Sequence, residues 1–160
     1  MRKILIILLL PIIFTSSAHA FNLKNTLKFG SGFICGFLAH EASHIIAAEI
    51  KNINIKSYNF NWTHGISFNS KPSKTVALAG FAEQIISTEI ILFKKAHKNS
   101  PFWKGYLAHN IIEPFMVTVV NGHCGKHNDL KLFSRAGGNK TIVGITINLH
   151  SLYTLYRLRN

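Results

Sequence analysis

Residues 38–47 read LAHEASHIIA and set His40, Glu41 and His44 inside an apolar run. On an α-helix, residues four apart share a face about one turn apart, so both imidazoles can reach one ion. Zinc bonds imidazole nitrogen at about 2.0–2.1 Å and accepts the neutral ring. Glu41, one position on from His40, is placed to touch a water on such an ion without being a ligand. There it takes a proton as the water attacks a carbonyl and passes it to the leaving amine. Ala42 and Ser43 are small and leave the approach open. A His-Glu-x-x-His pattern is expected by chance roughly 0.02 times in a chain with this many His and Glu. The plain alternative is two buried histidines partnered by a glutamate, which would leave unligated polar groups on an apolar helix at a free-energy cost.

A catalytic zinc takes three protein ligands and keeps one position open. Several residues can supply the third. Glu83 or Glu89, in a later apolar segment, would make a two-His, one-Glu site. His123, His127 and Asp129 lie together in the glycine-rich stretch NGHCGKHNDLKLFSRAGG. The placement of acids also points to a polar site in an apolar body. Glu41, Glu49, Glu83, Glu89 and Glu113 all fall within apolar segments, and the loops carry only Asp129. Ordinary soluble domains keep most acids on the wet surface, and carboxylates set among apolar residues must be paired, protonated or bound to metal.

The elements that would carry these residues follow from the hydropathy pattern. Residues 1–20 have the layout of a secretory signal peptide: Arg2 and Lys3, an apolar stretch from Ile4 to Phe14, and a small-residue end with cleavage after Ala20. Residues 21–160 then form a single domain. Its apolar segments run from Phe29 to Ile50, Thr75 to Phe93, Gly105 to Val120 and Thr141 to Tyr156. The first is rich in Gly and Ala, which permits close helix approach. The second runs nineteen residues without a cation and is long enough to span a bilayer, with its two Glu and Gln84 facing inward. The third and fourth are shorter, and Pro114 should kink the third. Between the first two, Ile53 to Ser70 alternates apolar and polar residues around Thr63-His64-Gly65 and predicts a β-hairpin. The predicted fold class is mainly α: a small helical, multi-pass membrane bundle with one short β-hairpin after the His-Glu-x-x-His helix.

Charge narrows the partners. The chain has 18 Lys and Arg against 6 Asp and Glu. The cations fall between apolar segments instead of forming a stripe, and aromatic-basic interleaving is absent, so nucleic acid is not an expected partner. Flanking cations suit anionic lipid headgroups, which makes membrane lipids an expected partner. No oligomeric state is legible. Two cysteines, Cys35 and Cys124, make no disulfide framework.

In the order of its parts the chain resembles the site-2 protease family of intramembrane zinc metalloproteases. HEASH is followed by the predicted hairpin, then by ALAGFAEQ, where Gly80 and Gln84 take the two places of that family's Gly-xxx-Asn-type motif, then by Asn128-Asp129-Leu130. The resemblance spans about residues 32–138. Three departures stand out: Ser43 and Gln84 replace the usual Gly and Asn, and a Pro-containing Leu-Asp-Gly segment is missing. The resemblance implies a Zn²⁺ site of His40, His44 and Asp129, with Glu41 as general base and acid. It also implies Gln84 orienting substrate backbone, where the plainer reading is a buried amide bonding between helices, and a peptide or membrane-protein substrate. If Asp129 approaches the metal, a bridge between Cys35 and Cys124 comes within steric reach, although free thiols are the expected state. The hairpin edge is a candidate for pairing with an extended substrate. Glu113 is expected to pair locally with His109, four residues before it. Two other readings stay open: a soluble exported zincin with Glu83 or Glu89 as third ligand, and a non-enzymatic membrane scaffold.

Overall fold

The computed structural model describes residues 22–61, 64–68, 73–94, 97–120 and 128–159. The signal peptide expected at residues 1–20 lies outside them, as do His123, Cys124 and His127.

Helix α1 runs Leu23–Ile50, starting six residues before the apolar segment begins. Asn22 caps it, its side chain accepting from the Asn25 amide at 3.2 Å. It ends where Asn52 turns the chain through a positive φ of 53°, a conformation that asparagine tolerates better than most residues. Its buried residues are Gly32, Gly36, His40, His44 and Ala48, one stripe at a spacing of four. The two histidines therefore sit on the same face as the glycines that let a neighbouring helix come close.

The predicted hairpin follows. Strand β1, Ile55–Asn61, pairs antiparallel with β2, His64–Phe68, in a register that sets Tyr58 opposite Ile66. Helix α2, Lys74–Phe93, is capped by the Ser73 hydroxyl, which accepts from the Val76 amide. Helix α3, Pro101–Phe115, starts with a proline at a position where the missing N–H costs nothing. Near its other end Pro114 removes a helical donor. Two residues later the chain widens into a π-helical turn, Met116–Val120, where the Thr118 hydroxyl donates to the Pro114 carbonyl at 2.8 Å.

Helix α4, Asp129–Arg135, was not foreseen. The stretch around it has the composition of a loop, yet Asn128 Oδ1 accepts from the Lys131 amide at 2.9 Å and starts a helix of seven residues. Leu130, Leu132 and Phe133 hold it against the body. Helix α5, Lys140–Arg159, is capped by Asn139, whose Oδ1 accepts from the Thr141 and Ile142 amides.

The fold is mainly α, as its pattern predicts. Helix α1 packs on α3 along glycine contacts in both directions. A Cβ at Gly32 would run into the Phe102 carbonyl, and one at Gly105 into the Phe29 carbonyl. Apolar clusters surround the contact: Ile91, Leu92, Tyr106 and Leu107 between α2 and α3, and Phe81, Val117, Leu130 and Ile147 linking α2, the π turn, α4 and α5. Helices α1 and α2 are long and apolar enough to cross a membrane. Large apolar residues face outward on both and on α5, among them Ile34, Leu38, Ile46, Ile86, Ile90, Ile145, Leu149 and Leu152.

Candidate metal centre

His40 and His44 are both buried, at 1% and 4% exposure. Their Nε2 atoms lie 3.2 Å apart. Asp129, the first residue of α4, reaches the same point. Its Oδ2 is 3.1 Å from His40 Nε2 and 3.3 Å from His44 Nε2. These three residues form the one group of ligand-type side chains that converges among the described residues.

The spacing is that of a coordination polyhedron. Donors bound at about 2.0–2.1 Å with tetrahedral angles stand about 3.3 Å from one another. The chemistry agrees with the spacing. His44 Nδ1 donates to the Val76 carbonyl at 2.6 Å, and in the neutral ring this leaves Nε2 as a lone pair aimed inward. A second ring nitrogen and a carboxylate oxygen face that lone pair. One proton can satisfy two of the three atoms, and a cation satisfies all of them. Burial alone would push the Asp129 carboxyl up, but His44 and His40 beside it hold it well below the usual carboxylate range. It therefore stands in the ionised form that a metal needs.

Helix α2 builds the wall behind the imidazoles. Val76, which orients His44, and Gly80 lie one turn apart on it. A Cβ at Gly80 would overlap the His40 ring at Cε1 and Nε2. The glycine thus lets the imidazole lie directly on the helix backbone. Glu41 is half-buried on α1, off the buried stripe, and within electrostatic reach of His40, His44 and Asp129. It stands beside the cluster without being a member.

Glu83 and Glu89, the other candidates for third ligand among the described residues, are engaged elsewhere. Glu83 Oε1 accepts from the Tyr106 hydroxyl at 2.6 Å. Glu89 takes His150 at 3.2 Å and Arg157 at 2.6 Å. Neither joins His40 and His44. Cys35 is free and exposed on the outer side of α1.

The expected local pair of His109 and Glu113 is not formed. The His109 ring stands edge-on to Phe33 at 5.3 Å and to Phe37 at 6.1 Å, and its Nδ1 meets Asn110 Oδ1 at 3.3 Å. Glu113 turns the other way. Its Oε2 lies 3.1 Å from His40 Nδ1 and accepts from Gln84 Nε2. Sequence reasoning thus missed Glu113 as a neighbour of the site. The available signal was its place among the acids inside apolar segments, which demands a polar partner, and the partner proved to be tertiary. Gln84 is buried and donates an amide N–H to Glu113 across the α2–α3 contact, which matches the plainer of its two readings, a buried amide bonding between helices.

Comparison with protein-family models, with curated proteins and with solved structures finds no match to this chain.

Proposed function

We propose that the chain is a zinc-dependent endopeptidase embedded in a membrane, similar in plan to the site-2 proteases. The observation that carries the reading is the convergence of His40 Nε2, His44 Nε2 and Asp129 Oδ2 within 3.3 Å of one another. These residues would hold Zn²⁺, which when bound supplies the Lewis acidity that makes water a nucleophile near neutral pH. The chain's own residues divide the remaining work. The Val76 carbonyl fixes the tautomer and direction of His44. Asp129 supplies the negative charge that favours a dication over a proton. Glu41, adjacent to the cluster and not consumed by it, takes the proton from the attacking water and returns it to the leaving amine. The substrate class is a peptide or membrane-protein segment, brought to a site set among helices long and apolar enough to span a bilayer.

Metal content of the purified full chain tests the site. Wild type is expected to carry close to one equivalent of zinc, and His44→Ala and Asp129→Ala far less. Glu41→Gln separates peptidase from metal-binding scaffold. It is expected to keep its zinc and lose peptide cleavage by at least the 10²-fold that proton transfer commonly contributes. A Glu41→Gln protein with unchanged turnover would remove the peptidase reading, and zinc-free wild type would remove the metal site itself.

A further inference from the structure

His40 presents Nε2 to the cluster, and its other nitrogen raises a separate question. Nδ1 is buried and makes no hydrogen bond among the described residues. The carboxylate oxygen Oε2 of Glu113 lies 3.1 Å away, close but out of line for a formed bond. That carboxylate is itself largely enclosed, with 22% of its side chain exposed. A buried ring nitrogen lacking a partner beside a buried carboxylate is a pair whose natural completion is an N–H···O bond.

We propose that Glu113 is the positioning residue for His40: its carboxylate accepts a hydrogen bond from Nδ1–H of that ring and so presents the Nε2 lone pair to the point shared with His44 and Asp129. The proposal rests on the metal reading above and deepens it. The two imidazoles are then oriented by different means, His44 by a backbone carbonyl of α2 and His40 by a side chain of α3. A ring whose second nitrogen donates to a carboxylate is a more basic ligand and is fixed in direction.

Two further observations support this assignment. Gln84 Nε2 donates to the same Oε2, so the carboxylate is held from α2 while it faces α1. The other imidazole near by, His109, is occupied by Asn110 and by the rings of Phe33 and Phe37, and leaves Glu113 to His40.

The test compares zinc affinity of the full chain in detergent, by competition with a chromophoric chelator, for wild type, Glu113→Gln, Glu113→Asp, Gln84→Met and His44→Ala. The Co²⁺-substituted absorption spectrum reports on the ligands themselves. Glu113→Gln is expected to weaken zinc binding 10–100-fold and to shift the Co²⁺ bands. Its helical circular dichroism in chelator should match wild type. Glu113→Asp is expected to recover part of the affinity, and Gln84→Met to lose a few-fold. Wild-type affinity and spectrum in Glu113→Gln would overturn the positioning role while leaving the metal site intact. A loss as large as that of His44→Ala would make Glu113 a ligand and equally overturn it. Should Glu113→Gln fail to fold, Gln84→Met decides: unchanged affinity there overturns the proposal. Wild type that binds neither Zn²⁺ nor Co²⁺ would instead show that the underlying metal reading had failed.

Discussion

His44 is the more firmly fixed of the two imidazoles, because its Nδ1 is spent on a main-chain carbonyl that only a movement of α2 could withdraw. His40 depends on what α2 lacks. Its ring rests where the side chain of residue 80 would be, so the geometry of the cluster is set partly by an absence. Gly80→Ala is therefore expected to push the His40 ring away from Asp129. The cost of overpacking is about 1–3 kcal/mol. Zinc affinity should fall more steeply than the melting temperature of the chelated protein, and chelator competition with thermal unfolding in detergent measures both. An unchanged affinity would mean that His40 does not lie on Gly80. This residue also marks what could be read in advance. HEASH stands out in the sequence because both histidines lie on one helix and their spacing is local. Asp129 lies 89 positions from His40; the residues alone offer it as one of several third ligands, and the order of parts in a resembling family singled it out. Glu113 was misread for the same reason in reverse. Helical spacing offers His109 as its partner, but the two phenylalanines of α1 take that ring, leaving the carboxylate to tertiary packing.

At the scale of elements, the centre exists because α1 approaches its neighbours closely along one stripe. Gly32 and Gly36 precede His40 and His44 at the same spacing, and Gly105 on α3 answers them against the Phe29 carbonyl. Small residues at such crossings let backbones touch and convert van der Waals contact into stability inside an apolar medium. Gly105→Leu is expected to wedge α3 from α1 and draw Glu113 away from His40. Both thermal stability and zinc content of the purified chain should drop, the former by more than about 3 kcal/mol because backbone, not a flexible side chain, stands in the way. Retention of both would show that the two helices do not meet at this glycine. The long helices and the hairpin were legible because their periods run through many residues. Helix α4 was not. Seven residues cannot hold a helix on propensity alone, and its stability comes from Leu130, Leu132 and Phe133 packing on other elements, which no local pattern announces. Pro114 was legible as an interruption, and its outcome is a widened turn at Met116–Val120, whose Val117 carbonyl accepts from Asn128 Nδ2 at 3.4 Å.

Among the described residues, polar groups share the interior with the apolar clusters while large apolar side chains face outward. His40, His44, His109, Gln84, Thr88 and Asn110 are buried, and Ile34, Leu38, Ile46, Ile90, Ile145, Leu149 and Leu152 are exposed. Water would penalise that surface heavily, since exposed apolar area costs about 25 cal/mol per Å², and acyl chains would not. Cations frame it. On α5, which is not among the helices long and apolar enough to cross a membrane, Lys140 and Arg157 stand about 26 Å apart at 1.5 Å per residue. The Arg157 guanidinium lies 5.4 Å from the Tyr153 ring centre, an aromatic-cation pairing suited to a headgroup region. Net charge of +12 adds attraction to anionic lipid, but that attraction is screened by salt and burial of an apolar belt is not. The two contributions can be separated. The full chain expressed in cells is expected to stay in the membrane pellet through a 1 M salt wash and through alkaline carbonate, and to leave it only with detergent. Release by salt would assign the attachment to charge alone. Release by carbonate would mean that the outward isoleucines and leucines meet another protein surface instead of lipid, and would turn the site into that of a soluble zincin docked at the membrane.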